Sequence, residues 1–142
     1  MPAPPKRPGP VHHVAVCVRD VPAALAFYRD VLGLEELRRW LRDDGTLRSV
    51  WLAMGALHGE RAFLAVEEVP GGAPRHDSAP GLHCLALQIA SRDREHWRGR
   101  LEAAGHPVER ESEFTLYARD PEGTLVALSH YPDSAMGISS SR

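Results

Sequence analysis

Residues 11–34 read VHHVAVCVRDVPAALAFYRDVLGL, and this stretch decides the fold. Its first part, Val11 to Val18, is a short run rich in β-branched apolar residues, the pattern of a buried strand. Successive side chains of a strand point to opposite faces, so His13, Ala15 and Cys17 share one face and Val14, Val16 and Val18 share the other. The valine face suits packing against a helix, which leaves His13 on the open side. Asp20 stands where a helix N-cap accepts backbone N–H groups, and Pro22 is tolerated in the first turn. Leu25, Tyr28, Val31 and Leu32 recur at helical spacing, and Gly33 ends the helix.

Beyond this unit, Leu34–Arg42 and Leu47–Met54 flank Asp43-Asp44-Gly45-Thr46, a hairpin signal, and Arg61–Val69 reads as a further strand. Pro70-Gly71-Gly72-Ala73-Pro74 opens a linker that runs to Gly81. The same order then returns. Leu82–Ile89 reads as a strand, Asp93–Ala104 as a helix ending at Gly105, and Val108–Glu111 as a weak strand. Phe114–Arg119 and Thr124–Tyr131 form a final hairpin around Asp120-Pro121-Glu122-Gly123. In this alignment His83 follows His13, and Trp97 follows Phe27, by 70 residues, while Ala127 follows Ala65, and Pro132 follows Pro70, by 62. The expectation is an α+β fold of two tandem βαβββ modules that form a curled mixed-sheet cleft. Its parts are a Pro-rich disordered tail (1–10), a first module (11–69), a linker (70–81), a second module (82–132) and a flexible tail (133–142).

Composition narrows the function classes. With 142 residues, 43% hydrophobic and 25% charged, the chain fits one compact domain or two half-size modules sharing a core. A net charge of −2 supplies no basic surface for phosphate binding, so nucleic acid is not an expected partner. No apolar run long enough for a membrane span or a secretory signal is present, and only Cys17 and Cys84 are available for a disulfide; a cytoplasmic protein with reduced thiols is expected.

The segments His13–Asp20, Phe27-Tyr28 through Leu32-Gly33-Leu34, Gly81–Leu87 and Asp120–Val126 together resemble the vicinal oxygen chelate superfamily. Glyoxalase I, extradiol dioxygenases, fosfomycin-resistance enzymes and bleomycin-resistance proteins belong to it. The resemblance spans about residues 11 to 132. It implies paired modules around a cleft in which a divalent metal is chelated, often completed by a homodimer. It also implies metal ligands at His13 and His83 on the first strands, and places Ala65 and Ala127 where the last strands commonly carry carboxylates.

Strand alternation groups Phe63, Ala65 and Glu67 on one face, His83, Leu85 and Leu87 on another, and Leu125, Ala127, Ser129 and Tyr131 on a third. Glu67 is the nearest substitute carboxylate, yet it lies two residues, roughly 6–7 Å, beyond Ala65. The candidate metal set is therefore His13, His83 and Glu67, and the candidate cleft lining is Cys17, Phe63, Ala65, Leu85, Ala127, Ser129 and Tyr117. Trp40 and Trp51 belong to the first hairpin, with a pocket wall and the core both open to them. His130 is expected to pack or cap a strand end, and His12, His58, His76, His96 and His106 to lie on surfaces or loops. Two functions stay open. One is a glyoxalase-, bleomycin-resistance- or dioxygenase-like protein that binds a small organic molecule in the cleft between the modules, with or without a metal. The other is a lyase, isomerase or dioxygenase dependent on one divalent Zn, Fe, Ni or Mn ion held by His13 and His83.

Overall fold

The structure, a computed structural model, describes residues 1–55 and 62–134. The chain runs β1 (His13–Val18), α1 (Val21–Leu25), a π-helical continuation (Ala26–Val31), β2 (Glu36–Leu41), β3 (Leu47–Ala53) and β4 (Phe63–Glu68). It then repeats as β5 (Cys84–Gln88), a 3₁₀ turn (Ser91–Asp93), α2 (Arg94–Ala103), β6 (Arg110–Glu111), β7 (Thr115–Arg119) and β8 (Leu125–Ser129). The described strands form two mixed sheets of the same topology, ordered β1-β4-β3-β2 and β5-β8-β7-β6, with β1 parallel to β4 and β5 parallel to β8. Each parallel pair is bridged by the helix and hairpin of its module, the connection that parallel strands require. Among the described residues no helix is long and apolar enough to cross a membrane.

Local chemistry explains the helix of the first module. Asp20 accepts a hydrogen bond from the Ala23 backbone N–H at 3.0 Å, and Pro22 sits in the first turn where no donor is lost. Gly33 then takes φ +79°, a left-handed conformation that stops the helix with little strain. From the sheets, Val16, Val18, Val50, Leu52, Leu64 and Val66 of the first module and Leu85, Ala118, Val126 and Leu128 of the second enter one buried cluster with Leu25, Phe27, Tyr28, Leu32 and Leu101. The modules thus share a core on the helical side of both sheets.

Polar contacts fix how the modules meet. Tyr28 is wholly buried, and its hydroxyl donates to Asp120 Oδ2 at 2.7 Å. The other oxygen of Asp120 accepts the backbone N–H groups of Glu122 and Thr124, which closes the turn at Gly123 (φ +92°). Burial first, and then the charge and hydrogen bond of Asp120, hold the Tyr28 phenol protonated far above the usual tyrosine range. Beside it, Arg19 at the end of β1 pairs with Glu122 at 2.5 Å. Arg100 of α2 reaches the carbonyls of Asp30 and Val31, so the last helical turn of the first module is capped by the second.

Within the second module, Arg94 is 7% exposed and ties α2 to the sheet through Glu111, the Ser112 and Glu113 carbonyls and His130 Nε2. His130 is buried and also contacts the Asp133 carbonyl, in keeping with a strand-end role. Hydrogen bonds from Arg98, then from Arg94, pull the Glu111 carboxyl down to about 2.

Two predictions follow from these contacts. Tyr28→Phe leaves the Asp120 carboxylate buried without its phenolic donor and lowers the unfolding free energy by about 2 kcal/mol, measured by urea denaturation; an unchanged midpoint would contradict the role given to this bond. Because the Glu111 pKa is depressed on folding, its stabilisation is full above the ordinary value of 4.5 and disappears as pH falls toward about 2. The melting temperature of Glu111→Gln therefore lies below that of the parent at neutral pH and converges with it in strong acid, as followed by circular dichroism.

Candidate functional site

The face of each sheet turned away from the helices is where a site can form. On the first sheet the strand register places His13 beside Phe63, Ala15 beside Ala65 and Cys17 beside Glu67. Continuing across, Trp51 lies beside Ala65 and Ser49 beside Glu67, then Arg38 beside Trp51 and Trp40 beside Ser49. All share the face opposite Val16, Val50, Leu52, Leu64 and Val66. His13, Ala15 and Cys17 are exposed, while Phe63 and Ala65 are buried.

This face carries a ladder of rings. The His13 imidazole stacks on Phe63 with centroids 4.7 Å apart and planes within 4°. Phe63 stacks on Trp51 at 4.4 Å, and Trp51 meets Trp40 edge-to-face at 5.4 Å. The Arg38 guanidinium lies 3.9 Å from the centroid of Trp40. Among the described residues, Trp40 Nε1 and Ser49 Oγ are buried with no hydrogen-bond partner. Glu67 is half-buried and takes part in none of the ion pairs among the described residues.

The second sheet presents a smaller counterpart. Cys84 pairs with Leu125, Ala86 with Ala127 and Gln88 with Ser129, while Tyr117 lies across from Ala127 and Thr115 from Ser129. Arg110 stacks on Tyr117 at 4.3 Å, and Arg119 pairs with Asp77 and Glu109. Thr115 donates to Ser129 Oγ at 2.9 Å.

The structure thus brings Cys17, Phe63, Ala65 and Glu67 onto the face of His13, and Tyr117, Ala127 and Ser129 onto one face of the second sheet. Leu85 departs from its expected place. It is 7% exposed and belongs to the shared core, so it faces the helices. With it the module alignment moves by one residue. Ala86, not Leu85, stands across from Ala127 as Ala15 stands across from Ala65, which makes Cys84 the counterpart of His13. His83 precedes β5, is exposed, and matches His12 in position.

Sequence reasoning left Trp40 and Trp51 undecided, and they prove to be central to the first open face. The signal available was parity: each is separated from its hairpin partners by residues of the core face, such as Val50 and Leu52. His106 is half-buried, bonded to the Arg119 carbonyl and packed on Phe27. His58, Arg61 and most of the tail assigned to 133–142 lie outside the described residues.

The donors do not fit a divalent metal. The centre of each open face is a pair of alanines, Ala15 with Ala65 and Ala86 with Ala127, where a chelating centre needs oxygen, nitrogen or sulfur donors. His13 Nδ1 is 3.0 Å from His12 Nδ1, so one of these rings donates to the other. Among the described residues no three His, Cys, Asp or Glu side chains are grouped to hold a metal ion.

The tandem βαβββ architecture agrees with the sequence comparison. The Glyoxalase/Bleomycin resistance protein/Dioxygenase superfamily matches residues 11–128. The chain belongs to this superfamily. Of solved structures, lactoylglutathione lyase from Agrobacterium tumefaciens is 28% identical with a TM-score of 0.63, covering 89% of this chain and 96% of that one. The glyoxalase family protein from Enterococcus faecalis is 25% identical with a TM-score of 0.66, over 84% of this chain and 96% of its own. The fosfomycin resistance protein FosX from Listeria monocytogenes, solved with Mn(II) and sulfate, is 20% identical with a TM-score of 0.65, over 87% and 93%, and shares the superfamily fold. No curated protein matches the chain.

The contact of Trp40 with Trp51 is directly measurable. Paired indoles at 5.4 Å couple their transitions, so the native protein is expected to show an indole couplet in circular dichroism that either Trp40→Phe or Trp51→Phe removes. A couplet that survives both substitutions would contradict the ladder.

Proposed function

We propose that this superfamily member binds a small organic molecule on its open sheet faces and does so without a resident metal. The observation that carries the reading is Ala65, at a position where the resemblance implies a chelating side chain, beside the ring ladder His13–Phe63–Trp51–Trp40, with Ala127 at the matching position of the second sheet. Small residues leave room, and the rings supply large, rigid apolar area with little conformational entropy to lose. A homodimer belongs to the same reading, because Ala15, Cys17, Ala86 and Gln88 leave both faces exposed in the single chain and a second copy would enclose them. Cys17 and Cys84, both free thiols, fit a reducing cytoplasm.

The Mn(II) bound to FosX favours a second reading, a metal-dependent lyase, isomerase or dioxygenase that holds its ion through His13, His83 and Glu67. The two separate in one preparation. Untagged protein is expected to sediment as a dimer, to contain no stoichiometric Zn, Fe, Ni or Mn by elemental analysis, and to be stabilised thermally by organic compounds from a flat-ring library but not by these ions. Stoichiometric metal that is lost in both His13→Ala and His83→Ala would overturn the metal-free reading.

A further inference from the structure

We propose that each open face receives the acid group of an organic carboxylate, held by an arginine that lies on an aromatic ring: Arg38 on the first sheet and Arg110 on the second. The proposal deepens the small-molecule reading above and rests on it. Cross-strand register carries it. From β2 through β3 and β4 to β1, one row of the first sheet is Arg38, Trp51, Ala65 and Ala15. From β6 through β7 and β8 to β5, the corresponding row of the second sheet is Arg110, Tyr117, Ala127 and Ala86. Arginine, aromatic ring, alanine, alanine thus recurs in the same order on both faces. The adjoining row does not recur: Ser49, Glu67 and Cys17 of the first sheet stand where the second has Thr115, Ser129 and Gln88.

The two arginines are presented alike. The Arg38 guanidinium lies 3.9 Å from the centroid of Trp40, and that of Arg110 lies 4.3 Å from the centroid of Tyr117. Both residues are exposed, and neither guanidinium makes a hydrogen bond or ion pair among the described residues. A guanidinium on a ring spends its face on the ring and keeps its in-plane N–H donors free, and that edge matches the two oxygens of a carboxylate. The acids of the same strands are already engaged. On β2, Glu36 pairs with Arg29 and Arg39; beside Arg110, Glu109 pairs with Arg119, and Glu111 with Arg94 and Arg98. Glu67, the carboxylate of the first open face, belongs to β4, two strand spacings or roughly 10 Å from β2, beyond the Debye length of about 8 Å in a physiological buffer. The chain carries a net charge of −2 and does not draw anions in as a whole, so a preference for them has to come from these faces. Ala15 and Ala86 are exposed, and an apolar body that extends from the acid group along the row meets methyl groups there.

Titration calorimetry on the full chain tests the assignment with four probes: hexanoate, the neutral hexanamide, the cation hexylammonium, and acetate, which has the acid group without the body. Hexanoate is expected to bind, and each of the other three to bind at least about tenfold more weakly, in line with the strength of hydrogen bonds between charged groups. Arg38→Gln and Arg110→Gln should each remove the sites of one face and so lower the number of hexanoate molecules bound, while Arg38→Lys, which keeps the charge and loses the fork, should retain binding at reduced affinity. Arg48→Gln and Arg92→Gln are the controls. Among the described residues these two arginines also lack an ion pair, but they lie on no ring, and their loss should leave hexanoate binding unchanged. Hexanamide, hexylammonium or acetate binding as tightly as hexanoate, hexanoate binding indifferent to either Arg38→Gln or Arg110→Gln, or an equal loss in Arg48→Gln overturns the proposal. So does a library in which neutral compounds bind and hexanoate does not, and that outcome leaves the small-molecule reading standing. No binding by any probe or any member of the flat-ring library overturns both.

Discussion

The buried hydrogen bond from Tyr28 to Asp120 joins the two modules, and the placing of everything else depends on it. Tyr28 comes from the π-helical segment of the first module, Asp120 from the β7–β8 turn of the second. The same carboxylate organises its own turn through the N–H groups of Glu122 and Thr124. One charged group therefore closes a hairpin and receives the neighbouring module at once. A carboxylate with three donors can be buried at modest cost; with fewer it cannot. The shared core lies on the helical side of both sheets, where Tyr28 reaches the turn. The opposite faces are then left for other work.

Those opposite faces differ in kind. On the second sheet the polar groups are largely engaged with one another: Arg119 with Asp77 and Glu109, and Thr115 with Ser129. On the first sheet they are not, since among the described residues Glu67 has no ion pair and Ser49 Oγ and Trp40 Nε1 have no hydrogen-bond partner. Alanine pairs stand at the centre of both faces, where superfamily resemblance implies carboxylates.

Much of the fold was legible because two periodicities were clear. In β1 the alternation of Val14, Val16 and Val18 with His13, Ala15 and Cys17 identified the open face correctly, and Asp20 and Gly33 bounded the helix. In the second module the same reasoning slipped by one residue. The run Leu82-His83-Cys84-Leu85-Ala86-Leu87 has apolar residues at both parities, and His83 offered a more obvious partner for His13 than Cys84 did. A strand of two-sided apolar character does not declare its register; pairing with β8 does.

The sequence by itself determined the repeated βαβββ order, the caps and turns, and the residues of the β1 open face, because each follows from local propensity and the two-residue period of a strand. It also determined that alanine stands at positions 65 and 127. Only the tertiary structure decided which face of β5 meets the core, and which aromatic residues gather. Trp40, Trp51, Phe63 and His13 belong to four different strands, separated by as many as 50 residues between His13 and Phe63. They become a single ladder only through cross-strand register, a property of hydrogen-bonded pairing between segments that no local pattern contains.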